Sequence, residues 1–143
     1  MKLDIWNFQT QLTRRLAVWS IASIAVGLPL LSIDPFSRGV GIQFIAWGAI
    51  DLLIAIFGSR SASRRKARLS PDELLDTAPK ETANLKRILL INTALDVFYV
   101  AGGIALIFTL GAENPEWRGH GWGIIVQGGF LFFFDLFHAL KLK

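Results

Sequence analysis

The chain has 143 residues, enough for one domain, with 52% hydrophobic and 18% charged side chains and a mean hydropathy of +0.46. The apolar residues fall in long blocks, which points to a polytopic membrane protein and away from a soluble domain. The net charge of +4 does not imply a nucleic-acid partner, because the basic residues sit at the ends of the apolar blocks. The absence of cysteine excludes a disulfide framework, a thiolate metal site and a cysteine nucleophile.

In the first segment, Ile5, Phe8 and Leu12 fall on one helical stripe beside Trp6, with Asp4 placed to cap the start. Two readings are open: a short amphipathic helix lying on the membrane surface, or a cytoplasmic extension of the first crossing. That crossing is expected over residues 16–33, starting after Arg14-Arg15 and kinked by Pro29. No small-x-small cleavage site follows the arginine pair and three more apolar blocks do, so the helix is read as uncleaved.

A turn at Asp34-Pro35 leads to a second crossing over 39–58, with Gln43, Trp47 and Asp51 at intervals of one turn. Residues 59–87 are expected to form a cytoplasmic loop. It opens with the basic run Arg60, Arg64, Arg65, Lys66 and Arg68, a positive-inside determinant with anionic lipid headgroups as a further partner. Within it, Ser70-Pro71-Asp72-Glu73 is a capping-box signature for a short helix through about Asp76 that Pro79 should end, with Lys80 to Arg87 leading helically into the third crossing. The third crossing, 88–110, carries Asn92, Asp96, Tyr99 and Gly103 on one stripe. A polar loop with His120 precedes the fourth, 122–140, which carries Gln127, Asp135 and His138.

The expected fold is therefore an all-α bundle of four transmembrane helices. All fifteen Lys and Arg except Arg38 and Arg118 fall on one side, which places both termini in the cytoplasm, as in a bacterial cytoplasmic membrane. A parallel repeat of two hairpins is suggested by three matches, one being that the first and third crossings each follow a basic pair and carry polar residues two turns in, Ser23 in one and Asn92 and Asp96 in the other. Arg-Gly-x-Gly recurs at Arg38 and Arg118, and the Gln43–Asp51 spacing recurs in Gln127–Asp135.

Asp51, Asp96 and Asp135 define the candidate site. Each lies roughly 7–12 Å in from the cytoplasmic end of its crossing, and no crossing carries a basic partner. Three such groups repel if all are ionised, so one or two are expected to hold a proton at neutral pH. Gln43, Trp47, Asn92, Tyr99, Gln127 and His138 are candidates to complete a polar, partly aromatic interior suited to a proton or cation. The competing reading makes the acids interhelical hydrogen-bond donors in a scaffold or accessory subunit. A third, a lipid-modifying enzyme, would use Asp135 and His138, whose spacing also permits metal ligation. No hydrolase, kinase, nucleotide-loop or zincin motif occurs and no cofactor is expected. Partners beyond the bilayer are a second copy or a larger membrane complex.

In length, and in carrying a membrane-embedded acid, the chain resembles the small multidrug-resistance transporters. That resemblance implies proton or cationic-drug binding at the acid. Those proteins hold the acid in their first helix, where this chain has none.

Overall fold

Each helix starts at a cap that the sequence writes plainly. The computed structural model describes residues 4–142, and among them the structure is all-helical: α1 Ile5–Leu30, α2 Pro35–Ala67, α3 Pro71–Phe108 and α4 Pro115–Lys141. Asp4 accepts the Trp6 and Asn7 N–H groups to start α1. The other three start with a polar cap followed by proline: Asp34-Pro35, Ser70-Pro71 and Asn114-Pro115. The side-chain oxygen takes an otherwise orphaned N–H, and the proline lacks one to orphan. At Ser70 the full capping box forms with Glu73.

Three helices, α2, α3 and α4, are long and apolar enough to cross a membrane. Their outward faces carry large apolar side chains, including Leu53, Phe57, Phe98, Phe108 and Phe133, all more than half exposed. Bare aromatic surface on that scale is what lipid covers. The apolar part of α1, from Leu16 to its end at Leu30, spans only roughly 22 Å, short of the ~30 Å hydrocarbon core.

Several expected boundaries are corrected. Residues 59–87 are not a loop: α2 continues to Ala67, α3 starts at Pro71, and only 68–70 separate them. Pro79 lies inside α3 and does not end it. The Leu75 carbonyl that it deprives of a donor belongs to an exposed turn, where water can replace the lost bond. The polar stretch before Trp122 is likewise already helical from Pro115. At about 1.5 Å per residue α2 and α3 are roughly 50 and 57 Å long, so both run well past an apolar layer.

The first segment is neither separate nor laid on a surface. Ile5, Trp6, Gln9 and Leu12 are buried in one continuous α1. They pack with Leu89, Ala139 and Leu142 and with partly buried Leu69, Leu74, Ala78 and Leu85, forming a conventional core at the α2–α3 turn end. Lys2 and Lys143, which count toward the charge asymmetry, lie outside the described residues.

The helices pack as α1 on α2 and α3 on α4, with α2 and α4 joining the two hairpins. Glycines set the approach. A Cβ on Gly27 would meet the Gly41 carbonyl and Ile45, and one on Gly103 would meet the Gly121 carbonyl and Ile125. Gly48 lies against Ser20, Ser23 and Ile24, while Gly128 lies against Asp96, Tyr99 and Val100. The two hairpins thus repeat the same contacts, α1 matching α3 and α2 matching α4 residue for residue. Gly39 and Gly119 bring α2 and α4 together by the same reciprocal rule: Gly39 abuts Glu116 and His120, and Gly119 abuts Phe36 and Val40. Arg38 ties that junction to Glu116 through two hydrogen bonds of 3.0 and 2.5 Å.

This register supports the Arg-Gly-x-Gly match and corrects the other two: Ser23 is matched by Tyr99, and the Arg14-Arg15 pair by Leu90 and Ile91. Gln43 is matched by Gly123, and Gln127 by Trp47, so the Gln–Asp spacing is one helical turn out of register.

Candidate functional site: a buried acidic cluster

The three carboxylates do come together. Asp51 and Asp96 are each 3% exposed and Asp135 7%. Asp135 lies within Coulombic range of both others and beside Asn92, and Asp51 within range of Asp96. One carboxylate oxygen of Asp51 and one of Asp96 are buried without a hydrogen-bond partner. A buried oxygen left this way costs about 1–3 kcal/mol, more if charged, so its retention calls for an explanation. The two ion pairs among the described residues, Arg38–Glu116 and Arg65–Glu81, leave all three acids untouched.

The acids come from unlike positions in the matched hairpins. The counterpart of Asp96 is Ser20, that of Asp51 is Leu131, and that of Asp135 is Ala55. All three counterparts are buried and uncharged.

Several residues expected to line the same interior are engaged elsewhere. Gln127, fully buried, accepts from Trp19 Nε1 at 3.0 Å and donates to Ser23 Oγ at 3.2 Å. Phe130 stacks on Trp19, with centroids 3.6 Å apart. Gln43 accepts from Trp47 Nε1 at 3.2 Å, which fixes its amide so that Nε2 donates to His120 Nδ1 at 2.9 Å. Both glutamines are thus satisfied interhelical clamps. His120, expected in a solvated loop, is one partner of such a clamp. Tyr99 is 40% exposed and meets Trp47 edge-on at 4.9 Å, at the rim and not in an interior. Asn92 stands beside Asp135.

His138 is buried, but its chemistry is committed. The Phe134 carbonyl can only accept and the Arg15 guanidinium can only donate. Nδ1–H therefore donates to Phe134 O at 2.7 Å, and Nε2 accepts from Arg15 Nη1 at 3.1 Å. No nitrogen lone pair remains for a metal. Among the described residues no three His, Asp or Glu side chains are grouped to hold a metal ion. Two open surface grooves, one on α1 and one on α3, include none of the acids.

Of the basic run, Arg65 is spent on Glu81 and Ser61, while Arg60, Arg64, Lys66 and Arg68 are exposed on the last turns of α2. Sequence reasoning missed Trp19 and Ser20, read Arg15 only as an orienting charge and read Ser23 only as a mark of the repeat. A signal existed for the serines, since Ser20, Ser23 and Gly27 form a small-residue stripe of the kind that seats a neighbouring helix.

Fold and site together define a small helical protein, with helices fit to cross a membrane and a buried acidic cluster between three of them. The chain belongs to a family of unknown function, DUF6992, whose model matches residues 15–136. No curated protein and no solved structure matches it.

Proposed function

We propose that the protein is a four-span integral membrane protein, built of two parallel hairpins, in which Asp51, Asp96 and Asp135 handle protons or a small cation. The observation that carries this reading is the pair of buried, unpartnered oxygens on Asp51 and Asp96, within range of Asp135 and of no basic side chain that pairs with them. Acids kept inside a membrane segment mark ion and proton paths by default. A proton shared within the cluster, or a cation seated in it, supplies what those oxygens lack. The matched hairpins favour an axis along the membrane normal, as in transporters with parallel repeats. The positive-inside asymmetry favours both termini on the cytoplasmic side of a membrane such as the bacterial one. α1, though short in its apolar part, is counted as a span because it packs along α2 through Gly27, Gly41 and Gly48.

The test is flux in liposomes carrying an entrapped pH-sensitive dye. Asp96→Asn, once shown to insert, is expected to abolish pH-dependent flux. Undiminished flux in that variant removes the site. A scaffold or accessory subunit is the second reading, favoured by the fully satisfied Gln43 and Gln127 clamps. It expects no flux from wild type and copurification with a larger membrane complex. The engagement of both His138 nitrogens counts against the lipid-modifying reading, which would use that residue with Asp135.

A further inference from the structure

We infer that α1 and α3 carry a matched pair of grooves that each hold the phosphate of an anionic glycerophospholipid. The first groove, about 430 Å³, is lined by Gln11, Arg14, Arg15 and Val18. The second, about 590 Å³, is lined by Ala83, Lys86, Arg87, Leu90, Ile91 and Ala94. Both volumes fall in the roughly 300–1,000 Å³ range of small-molecule clefts. The hairpin register superposes them: Gln11 corresponds to Arg87, Arg14 to Leu90, Arg15 to Ile91 and Val18 to Ala94. Each groove sets two adjacent basic residues before apolar surface further along the helix, Val18 in the first and Leu90, Ile91 and Ala94 in the second, with the second groove's basic pair one turn earlier in the register. That is the order of charge and hydrocarbon in a phospholipid.

What distinguishes these residues from ordinary membrane-orienting charges is the anchoring of Arg15. His138, 3% exposed, holds its guanidinium through a neutral imidazole nitrogen, not through a carboxylate. The bond orients the fork and leaves its positive charge uncompensated. Neither ion pair among the described residues involves Arg14, Arg15, Lys86 or Arg87. A fixed, unneutralised guanidinium suits phosphate, which it can grip with two parallel N–H bonds. A free anion of the same chemistry would use the arginines but gain nothing from Val18 or Leu90. The inference rests on the membrane reading and not on the acidic cluster.

The experiment places the full chain in nanodiscs of phosphatidylcholine doped with phosphatidylglycerol and identifies retained lipids by native mass spectrometry. Wild type is expected to retain phosphatidylglycerol in preference to phosphatidylcholine. Arg14→Gln/Arg15→Gln should weaken retention of the first of two bound lipids about thirtyfold, on roughly fivefold per basic residue, and leave the second in place. Lys80→Gln/Lys141→Gln, which removes equal charge from exposed positions outside both grooves, should leave retention unchanged. Equal losses in the two variants, or no preference in wild type, overturn the proposal. If the first variant does not insert, Arg15→Lys keeps the charge but loses the planar fork. It should lower retention several-fold, and unchanged retention overturns the proposal. Inorganic phosphate that displaces phosphatidylglycerol at millimolar concentration would identify a free-anion site and defeat the lipid assignment. A chain that fails to sediment with membranes instead defeats the membrane reading.

Discussion

Gly39 and Gly119 stand at matched positions in the two hairpins, and each leaves room for the backbone of the other's helix. A Cβ on Gly39 would strike the Glu116 carbonyl, and one on Gly119 the Phe36 carbonyl. Neither obstacle is the flexible end of a side chain, so the helices themselves would have to part. Gly39→Ala and Gly119→Ala should each destabilise the protein by about 1–3 kcal/mol, read by thermal unfolding in detergent. Gly102 and Gly129 have nothing within 4 Å of a Cβ. Alanine there should be neutral or stabilising by up to about 1 kcal/mol.

Buried polar groups in this bundle divide into those with partners and those without, and the two should respond oppositely to substitution. Gln127→Leu strands Trp19 Nε1 and Ser23 Oγ and should cost about 1–3 kcal/mol. Asp51→Asn removes a group whose buried oxygen satisfies nothing, and should leave the stability within about 1 kcal/mol of wild type. A large loss on Asp51→Asn would mark that acid as a structural member.

Ile5 is 1% exposed in the core at the α2–α3 turn end. Ile5→Ala should therefore cost about 2–5 kcal/mol of fold stability. If the first segment lay on a membrane surface instead, the same change would weaken vesicle attachment and leave unfolding unaltered.

Asp34 supplies a pH-dependent contribution at the start of α2. The Ser37 N–H, and next its hydroxyl, hold the Asp34 carboxyl below its ordinary range. A depressed carboxyl stabilises the folded chain above its unfolded value of about 3.9 and ceases to do so as acid protonates the folded form. The difference in melting temperature between wild type and Asp34→Ala should be full at neutral pH and shrink as pH falls below about 4.

Because both nitrogens of His138 are occupied, transition metals should find no purchase there. Adding Zn²⁺ or EDTA to the purified protein should leave its melting temperature unchanged. A rise of several degrees with Zn²⁺ would contradict that assignment.

The apolar blocks, the Ser70 capping box and the convergence of three acids were all legible from residue type and spacing, because each depends on local geometry or on depth along a helix. Helix neighbours were not. The apolar stripe of Ile5, Phe8 and Leu12 looks the same whether it meets lipid or another helix, and only the structure places Leu89 and Ala139 against it. Pro79 was read as a stop because spacing cannot show that water is available to the Leu75 carbonyl. The Gln–Asp spacing shared by the second and fourth helices is a coincidence one turn removed from the true correspondence, which the contacts of Gly48 and Gly128 reveal.

The unlike counterparts of the acids have a consequence for how many protons the cluster can balance. Two copies of the first hairpin would bring together two carboxyls, one Asp51 from each. Two copies of the second would bring four. Only the covalent joining of dissimilar halves yields an odd number, and an odd set cannot be divided into pairs that share protons. One member is always left over and must either hold a proton of its own or carry its charge unshared.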